Sequence, residues 1–314
     1  MLTTLDAEQV HAALPWDALA EALRDAFLSP PQSPVRHAHT LDGAGTEHLL
    51  LMPAWDAAHI GLKMVTVIPG APQFGGHTVE ATYLLSARQT GKPLALLDGD
   101  ALTVRRTAAV SALAARHLLR PDAESLLIVG TGRLAPWLAR AHCALNPSIV
   151  RVHVWGREVL KAAAVARELE AEGLVVSVCR DLADGVREAD LVSCATTSSV
   201  PVVLGQWLRA GAHLDLVGAY TPQMRETDDE AIARARVFVD DVASAEREAG
   251  DIVQPYRSGA ISASHVAGDL GSLLRGDVAG REHDTQVTCF KSVGLALEDL
   301  AAARLAVAKS HFQS

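Results

Sequence analysis

The chain has 314 residues, of which 49% are hydrophobic and 21% are charged, and its formal net charge is −9. This length suffices for two domains of about 100–200 residues each, and the hydrophobic fraction suffices for a sizeable core. The acidic balance and the lack of a lysine- or arginine-rich block argue against a nucleic-acid partner. No signal peptide and no apolar window of about 18 residues is visible, so we predict no membrane span and a cytoplasmic location.

The first hundred residues change from a helical to a strand-like pattern. Residues 5–28 carry apolar side chains at helical spacing behind Asp6, a candidate cap, and the proline-rich stretch SPPQSP ends them. Short apolar runs bounded by Gly, Pro and Asp then predict the strands HLLLMPAW, GLKMVTVIPG, ATYLLSA and LALLDG. QTGKP predicts a hairpin turn between the last two strands. The Ala- and Leu-rich residues 101–119 predict a helix.

From residue 125 onward, strands and helices alternate, which is typical of a parallel sheet covered on both faces. The predicted strands are LLIVG, VRVHVWG, VVSVC, LVSCAT, HLDLVGA and VFVDD. We therefore predict an α/β fold with a β-rich domain over 1–120 and a Rossmann-type doubly wound parallel sheet over 121–285. A final helix over 286–314 is expected to return to the first domain.

A glycine-rich turn in LLIVGTGRLAPW joins the first of these strands to a helix. In a dinucleotide-binding turn the first glycine makes the bend, the second lets the backbone approach the pyrophosphate, and a third small residue packs helix against strand. Gly130, Gly132 and Ala135 occupy those places. The alternative is an ordinary strand-to-helix connection, but the βαβ context favours a dinucleotide.

The tip of the next strand bears on the choice between NAD and NADP. An acidic residue there binds the ribose 2′-hydroxyl of NAD, whereas an arginine pairs with the 2′-phosphate of NADP. This chain offers Gly156 and Arg157, with Lys161 one helical turn later. The pattern favours NADP over NAD, although Glu158 would repel a phosphate if it pointed inward. The alternative for Arg157 is a solvated surface side chain.

Three basic residues of the first domain are candidate anion ligands. Lys63 lies inside an apolar strand, where a lysine is costly to bury unless it is paired or aimed into a cavity. Arg106 lies in a helix that is otherwise apolar, and arginine suits forked binding of a carboxylate. Because adjacent helix positions point about 100° apart, at most one of Arg105 and Arg106 is expected on the apolar face. Lys63 as a protective edge-strand residue and Arg36 as a simple loop charge remain alternatives.

Neither a metal site nor a serine nucleophile is predicted. His37 and His39 form an H-x-H pair, but no convincing third ligand accompanies them. The four cysteines are dispersed without a CxxC pair, which argues against a zinc site or a disulfide scaffold. No G-x-S-x-G segment is present.

Three segments in this order resemble the ornithine cyclodeaminase/mu-crystallin family: GLKMVTVIPG, TGKPLALLDGDALTVRRTAAVSALAA and LLIVGTGRLA. The resemblance continues to FKSVGLALEDLAAA near the C-terminus. It implies a β-rich substrate and dimerisation domain, a Rossmann domain, an active site between them and a homodimer. Members of the family include ornithine cyclodeaminases, alanine dehydrogenases and reductases of cyclic imines.

The resemblance also implies roles for individual residues. Lys63 and Arg106 would hold the substrate carboxylate, Arg36 would assist, and Thr78 would lie in the strand lining the same pocket. Lys63, Arg106, Tyr220 and Thr221 are the candidate catalytic residues, and the proton source is left open between water, Tyr220, Thr221 and Lys63. The cofactor contacts would be Gly130, Thr131, Gly132, Arg133, Leu134, Gly156, Arg157, Thr196, Ala219 and Ser292.

One stretch separates the branches of the family. Cyclodeaminases and alanine dehydrogenases resemble each other in a GGD or GAD motif whose aspartate serves the substrate amine. Here the stretch reads VGAYTPQMRETDDEA, with Tyr220 at the position of that aspartate. This resembles the imine-reductase branch, so the leading hypothesis is NAD(P)H-dependent reduction of Δ1-pyrroline-2-carboxylate or its six-membered homologue. An ornithine cyclodeaminase, an alanine dehydrogenase and a crystallin-like binding protein without turnover remain alternatives.

Overall fold

The computed structural model describes residues 2–310, which form two compact units. The first comprises the chain up to Thr107 together with the segment from Leu295, and the second comprises Ala108–Gly294. The sequence placed these boundaries near 120 and 285. The first division instead falls inside the long helix Gly99–Leu118, which begins in one unit and continues in the other.

The strands of the described residues are β1 (Thr3–Leu5), β2 (His37–Thr40), β3 (His48–Trp55), β4 (His59–Val67), β5 (Val79–Ala87), β6 (Pro93–Asp98), β7 (Ser125–Val129), β8 (Arg151–Trp155), β9 (Val176–Val178), β10 (Leu191–Cys194), β11 (His213–Leu216), β12 (Ala235–Val239), β13 (Val266–Asp269) and β14 (Val287–Lys291). The α-helices are α1 (Ala7–Ala13), α2 (Trp16–Leu28), α3 (Gly99–Leu118), α4 (Ala135–Leu145), α5 (Val159–Ala171), α6 (Leu182–Glu188), α7 (Asp229–Arg234), α8 (Val242–Glu248), α9 (Gly250–Ser258), α10 (Leu270–Arg275) and α11 (Ala296–Ser310).

The first unit is built on a six-stranded sheet in the order β1-β6-β5-β4-β3-β2. All neighbours are antiparallel except β1 and β6. Helix α11 packs against α2 and against β3 and β4, so one face of the sheet is covered. The four predicted strands and the hairpin are present, but the predicted helical region over 5–28 was too simple. It begins with β1, and Pro15 then separates α1 from α2 because proline cannot continue a helix.

The second unit contains an eight-stranded parallel sheet in the order β13-β12-β14-β11-β10-β7-β8-β9. The first strand of the unit, β7, lies in the middle, with later strands added on either side, as in a doubly wound Rossmann-type fold. The predicted α/β fold class is thus confirmed. The order in which strands are added reverses between β7 and β10: β8 and β9 follow on one side of β7, and β10 and later strands follow on the other. Ligands of such sheets bind at this switch point, outside the carboxyl ends of the strands.

The expected helix over 286–314 is wrong in its first part. Val287–Lys291 is a strand, β14, inserted between β11 and β12 and buried on both faces. A strand buried on both faces shows no alternation of apolar and polar residues, so periodicity cannot distinguish it from a buried helix. The helix itself covers Ala296–Ser310 and belongs to the first unit, and residues 311–314 of the predicted range lie outside the described residues.

Within residues 2–310, no helix is both long and apolar enough to cross a membrane.

Candidate functional site

The glycine turn of the second unit has the geometry of an anion-binding turn. Gly130 follows β7 with φ of 128°, and a side-chain carbon there would lie 2.6 Å from the carbonyl oxygen of Ala195. Gly132 is exposed, and a carbon added there would meet no protein atom within 4 Å, so the space beside it is open. Helix α4 begins at Ala135, which is fully buried. The dipole of such a helix start attracts phosphate, and the open space beside Gly132 lets a phosphate approach the backbone, so the turn fits a dinucleotide.

Around this turn, Thr131 and Leu134 are partly buried and Arg133 is exposed. Leu134 is the residue that caps α4, although it makes no side-chain hydrogen bond to the helix. Gly156 fits closely against the turn, because a side-chain carbon there would lie 2.5 Å from the Thr131 methyl group. A larger residue at position 156 would therefore push the turn away from β8.

The charged side chains at the tip of β8 differ in whether they form an ion pair. Arg157 is exposed and makes no hydrogen bond or ion pair with any residue in the range 2–310. Lys161 Nζ instead lies 2.7 Å from Glu158 Oε1, so each of those two charges offsets the other. Arg180 follows the neighbouring strand β9, is also exposed, and is likewise unpaired among the described residues. Sequence reasoning missed Arg180, which only the order of the strands brings to this edge.

Two further loops at the carboxyl edge of the sheet meet at Glu226. Its fully buried carboxylate accepts hydrogen bonds from the N–H of Thr196, at 2.6 Å, and from the Thr196 hydroxyl, at 3.0 Å. It also accepts from the N–H of Gly218, at 2.8 Å, and of Ala219, at 3.3 Å. Thr196 follows β10 and Ala219 follows β11, so one side chain joins the two loops. Thr196 and Ala219 were predicted as cofactor contacts, whereas Glu226 was not.

The last predicted cofactor residue, Ser292, lies just beyond β14 and is 2% exposed. Its hydroxyl donates to Asp240 Oδ2 at 2.9 Å, and the same oxygen accepts from the N–H of Val293 and Gly294. Burial raises the pKa of Asp240 against these hydrogen bonds. The hydroxyl proton of Ser292 is thus directed at Asp240, and only its oxygen lone pairs are left for a ligand.

The predicted anion ligands Lys63 and Arg106 come together in the first unit, 3% and 5% exposed. Both contact Asp299 of α11, with Lys63 Nζ 2.7 Å from Oδ2 and Arg106 Nε 2.9 Å from Oδ1. Arg106 Nη1 also pairs with Glu298. The four formal charges sum to zero, which satisfies the requirement that buried charges be paired. The alternative of Lys63 as an edge-strand residue is wrong, because β4 lies between β3 and β5.

The environment changes the acid–base chemistry of this cluster. Burial lowers the pKa of Lys63 to about 8, although Asp299 acts in the opposite direction. For Arg106 burial alone would lower the pKa, but the carboxylates of Asp299 and Glu298 outweigh it and raise the pKa. Tyr83 lies opposite Lys63 on β5, and burial raises its pKa well above the usual range. Its hydroxyl finds no hydrogen-bond partner among the described residues.

Arg105 is buried as well as Arg106, but it has different partners. Arg105 is 7% exposed, stacks its guanidinium 3.7 Å above the Trp16 ring and donates to the carbonyl of Leu14. A cation over an aromatic face, hydrogen-bonded to a carbonyl, tolerates burial. The Arg105 side chain thus connects α3 to the N-terminal helices.

The remaining predicted site residues are more accessible. Arg36 is half-buried and precedes β2. Thr78 is exposed and lies in the bend before β5, which starts only at Val79, so its placement within the strand is corrected. Tyr220 is 37% exposed and Thr221 is half-buried, both in the loop after β11. In the part of the chain that the structure describes, no cluster of three or more His, Cys, Asp or Glu side chains could hold a metal.

Comparison with known proteins gives a consistent result. Residues 3–311 match the model of the ornithine cyclodeaminase/mu-crystallin family. A Δ1-pyrroline-2-carboxylate reductase of Paracoccus denitrificans is 38% identical over 91% of this chain and 90% of its own. The solved Δ1-pyrroline-2-carboxylate reductase of Thermococcus litoralis, in complex with NADH and L-proline, has a TM-score of 0.93 at 30% identity, covering 100% of this chain and 98% of that one.

An archaeal alanine dehydrogenase dimer with bound NAD is similar as well, with a TM-score of 0.92 at 29% identity. That match covers 99% of this chain and 97% of the other. With a family model spanning nearly all of its residues and a close relative of this identity, the chain belongs to the ornithine cyclodeaminase/mu-crystallin family.

Proposed function

We propose that this protein is an NAD(P)H-dependent reductase of cyclic imino acids, acting on Δ1-pyrroline-2-carboxylate or its six-membered homologue to give L-proline or L-pipecolate. The observation that carries the proposal is the chemistry of the loop after β11. Position 220 is a tyrosine and position 221 a threonine. Neither offers the negative charge that would hold the ammonium of an amino-acid substrate. Relatives named as reductases of this imine support the same conclusion.

The carboxylates that follow in the same loop are already engaged. Glu226 is fully buried and accepts its four hydrogen bonds from two loops. Asp228 caps α7 and accepts from the N–H of Gly205. Asp229 binds Arg225 and the hydroxyl of Ser258. No carboxylate of residues 218–229 is therefore left for a substrate amine, which favours a substrate that arrives as a preformed C=N bond.

Lys63 and Arg106 are the proposed ligands of the substrate carboxylate, with Arg36 and Thr78 assisting. The hydrogen bonds of Arg106 to described residues use Nε and Nη1, which leaves the Nη2 protons for a substrate oxygen. Asp299 pairs with both cations and so fixes their positions before a substrate binds. Fixing a carboxylate at two points orients the ring and its reacting carbon, which is how binding groups accelerate a reaction.

The dinucleotide, when bound, supplies the hydride that adds to C2 of the ring. This chain provides its binding groups: the Gly130–Leu134 turn and the N-terminus of α4 for the pyrophosphate, and Thr196, Ala219 and Ser292 at the edge of the sheet. The ring nitrogen takes up one proton, so that C=N becomes CH–NH. Lys63, Tyr220 and Thr221 are the candidate donors of that proton, since each carries a hydrogen on nitrogen or oxygen.

NADPH is the proposed cofactor in preference to NADH. Arg157 lies at the strand tip that meets the adenosine ribose in folds of this type, and it has no competing partner among residues 2–310. Arginine binds phosphate through a fork of two N–H groups. The Glu158–Lys161 pair reduces the repulsion that a lone Glu158 would exert on a 2′-phosphate.

The proposed assembly is a homodimer formed through the outer face of the six-stranded sheet. Ile60 and Met64 lie on the face of β4 opposite the buried Lys63, and they are 36% and 44% exposed. Trp55 and Leu51 are their partners on β3, so the apolar surface is continuous. Exposed apolar patches of this kind mark protein contacts. The solved alanine dehydrogenase relative is a dimer.

The test is imine reduction by the purified protein with NADPH and NADH and with both ring sizes. Oxidation of NADPH by Δ1-pyrroline-2-carboxylate is the expected result, and its absence with every pair would contradict the proposal. Release of ammonia from ornithine with catalytic NAD would instead establish a cyclodeaminase. Oxidation of NADH by pyruvate plus ammonium would establish an alanine dehydrogenase, and dinucleotide binding without turnover would establish a binding protein.

A further inference from the structure

We infer that Glu226 is a positioning residue for the dinucleotide, whose carboxylate holds the loops after β10 and β11 in the shape that binds it. The inference rests on the dinucleotide binding in the proposed function, but not on which imine is reduced. Glu226 touches no reacting atom in this assignment. It acts through Thr196 and Ala219, the residues that it binds.

The contacts of Glu226 require a group that only accepts hydrogen bonds. Oε1 accepts from the N–H and hydroxyl of Thr196, and Oε2 accepts from the N–H of Gly218 and Ala219. An ionised carboxylate has two acceptor oxygens and no hydrogen, whereas a glutamine amide would present two hydrogens to one of these donor pairs. Three of the four donors are backbone groups, so the carboxylate fixes the main chain of both loops.

The two loops are too close to tolerate a different spacing. A side-chain carbon at Gly218 would collide with the backbone nitrogen and oxygen of Thr196. The residue before Thr196 is just as close to the glycine turn. A side-chain carbon added at Gly130 would lie 2.6 Å from the carbonyl oxygen of Ala195. The loop held by Glu226 is therefore packed directly against the first glycine of the phosphate-binding turn. A shift of Thr196 would therefore displace that turn even if helix α4 did not move.

A buried cation lies near Glu226. Lys291, at the end of β14, is fully buried and lies 3.2 Å from Asp251 Oδ2, and its charge favours the ionised form of Glu226. Asp251 Oδ1 accepts from the N–H of Glu226 and of Thr227, which fixes the backbone that carries the carboxylate. Burial nonetheless raises the pKa of Glu226 to about 7. Its titration is influenced by Lys291 from β14, Asp251 from α9 and Cys194 from β10.

The experiment compares Glu226→Gln with Asp228→Asn, which removes one negative charge from the same segment. Asp228 caps α7 and accepts from the N–H of Gly205, and it makes no hydrogen bond to Thr196, Gly218 or Ala219. Titration of the intrinsic NADH fluorescence is expected to give a Kd raised about tenfold or more by Glu226→Gln, because buried N–H groups lose their acceptor. Asp228→Asn is expected to lower the melting temperature and leave the Kd for NADH unchanged. In steady state, Glu226→Gln should raise KM for NADH much more than KM for the imine.

A second measurement needs no variant. Protonation of Glu226 removes acceptor capacity, so the Kd of the unmodified protein for NADH should rise as the pH falls from about 8 to about 6. NADH lacks the 2′-phosphate that titrates in NADPH, so the ligand does not contribute a phosphate titration. An equal Kd for a folded Glu226→Gln and the unmodified protein would overturn the inference, whether or not the Kd changes over this pH range. Failure of the unmodified protein to bind any dinucleotide would instead overturn the proposed function.

Discussion

The carboxylate of Asp299 lies 2.7 Å from the ammonium of Lys63, and neither side chain is more than 3% exposed. The same carboxylate holds Arg106, so one acidic residue of α11 fixes two cations from β4 and α3. Breaking such a buried pair leaves an uncompensated charge inside the protein, which is more costly than losing an exposed pair. Asp299 thus connects the stability of the first unit to the orientation of its candidate substrate ligands.

Replacing Asp299 with asparagine is expected to reduce the free energy of unfolding by about 3–5 kcal/mol, because Lys63 and Arg106 both lose a counter-charge. Urea unfolding followed by tryptophan fluorescence measures this loss. The matched control is Asp184→Asn, whose partner Arg187 is 54% exposed. An exposed pair contributes less than about 1 kcal/mol, so the control should unfold almost like the unmodified protein. Equal decreases in the free energy of unfolding of the two variants would show that the buried pair stabilises the protein no more than the exposed pair.

The pH dependence of imine reduction should reflect Lys63. Its pKa is lowered to about 8 by burial, so the ammonium is charged below that pH and neutral above it. We expect kcat/KM for the imine to fall above about pH 8, as the substrate carboxylate loses one of its cations. Lys63→Arg keeps its charge throughout the alkaline range and should abolish this fall, at some cost in rate. A fall that persists unchanged in this variant would belong to the substrate imine instead.

Arg157→Ala should weaken NADPH binding by about tenfold or more while changing NADH binding little, because only NADPH carries the 2′-phosphate. Arg180→Ala should have a smaller effect in the same direction, since Arg180 follows the next strand at the same edge. Arg151→Ala is the control, because Arg151 is exposed at the opposite end of β8 and pairs with Glu124. Fluorescence titrations with both dinucleotides provide the affinities. Equal weakening of NADPH and NADH by Arg157→Ala would contradict the 2′-phosphate role.

Local patterns sufficed for much of the fold. The glycine turn, β3, α4 and the hairpin after β5 were predicted because each depends on a short run of residues. β14 was not predicted, since all five residues of VTCFK are buried and their pattern shows no alternation that would distinguish a strand from a helix. Only its place between β11 and β12 distinguishes the two.

The candidate site divides in the same way. Lys63 and Arg106 attracted attention because charged residues within apolar runs need a partner. Their partner Asp299 lies 193 residues from Arg106 along the chain, so no local pattern joins them. A usable signal was nevertheless present, because Glu298 and Asp299 are adjacent acidic residues in the otherwise apolar start of a helix. Glu226 gave no such signal, as it lies in a stretch rich in acidic residues.

His213 should make the second unit sensitive to acid. It lies fully buried on β11 with Nδ1 2.9 Å from the hydroxyl of Thr288, and burial lowers its pKa from 6.5 to about 3. Between these two pH values the unfolded chain binds a proton that the folded chain does not. The stability contributed by the neutral imidazole is therefore complete above pH 6.5 and is lost as the pH falls toward about 3.

The measurement is the free energy of unfolding in urea at several pH values between about 7 and about 4, where this one group should cost about 3 kcal/mol. His213→Gln removes the titration and should flatten the slope, even if the variant is less stable at neutral pH. His39→Gln is the control, because His39 is exposed on the edge strand β2 and its replacement should leave the slope unchanged. If His213→Gln lost stability with acid as steeply as the unmodified protein, the acid sensitivity would have to come from carboxylates whose pKa is lower in the folded protein, such as Asp215 and Asp190.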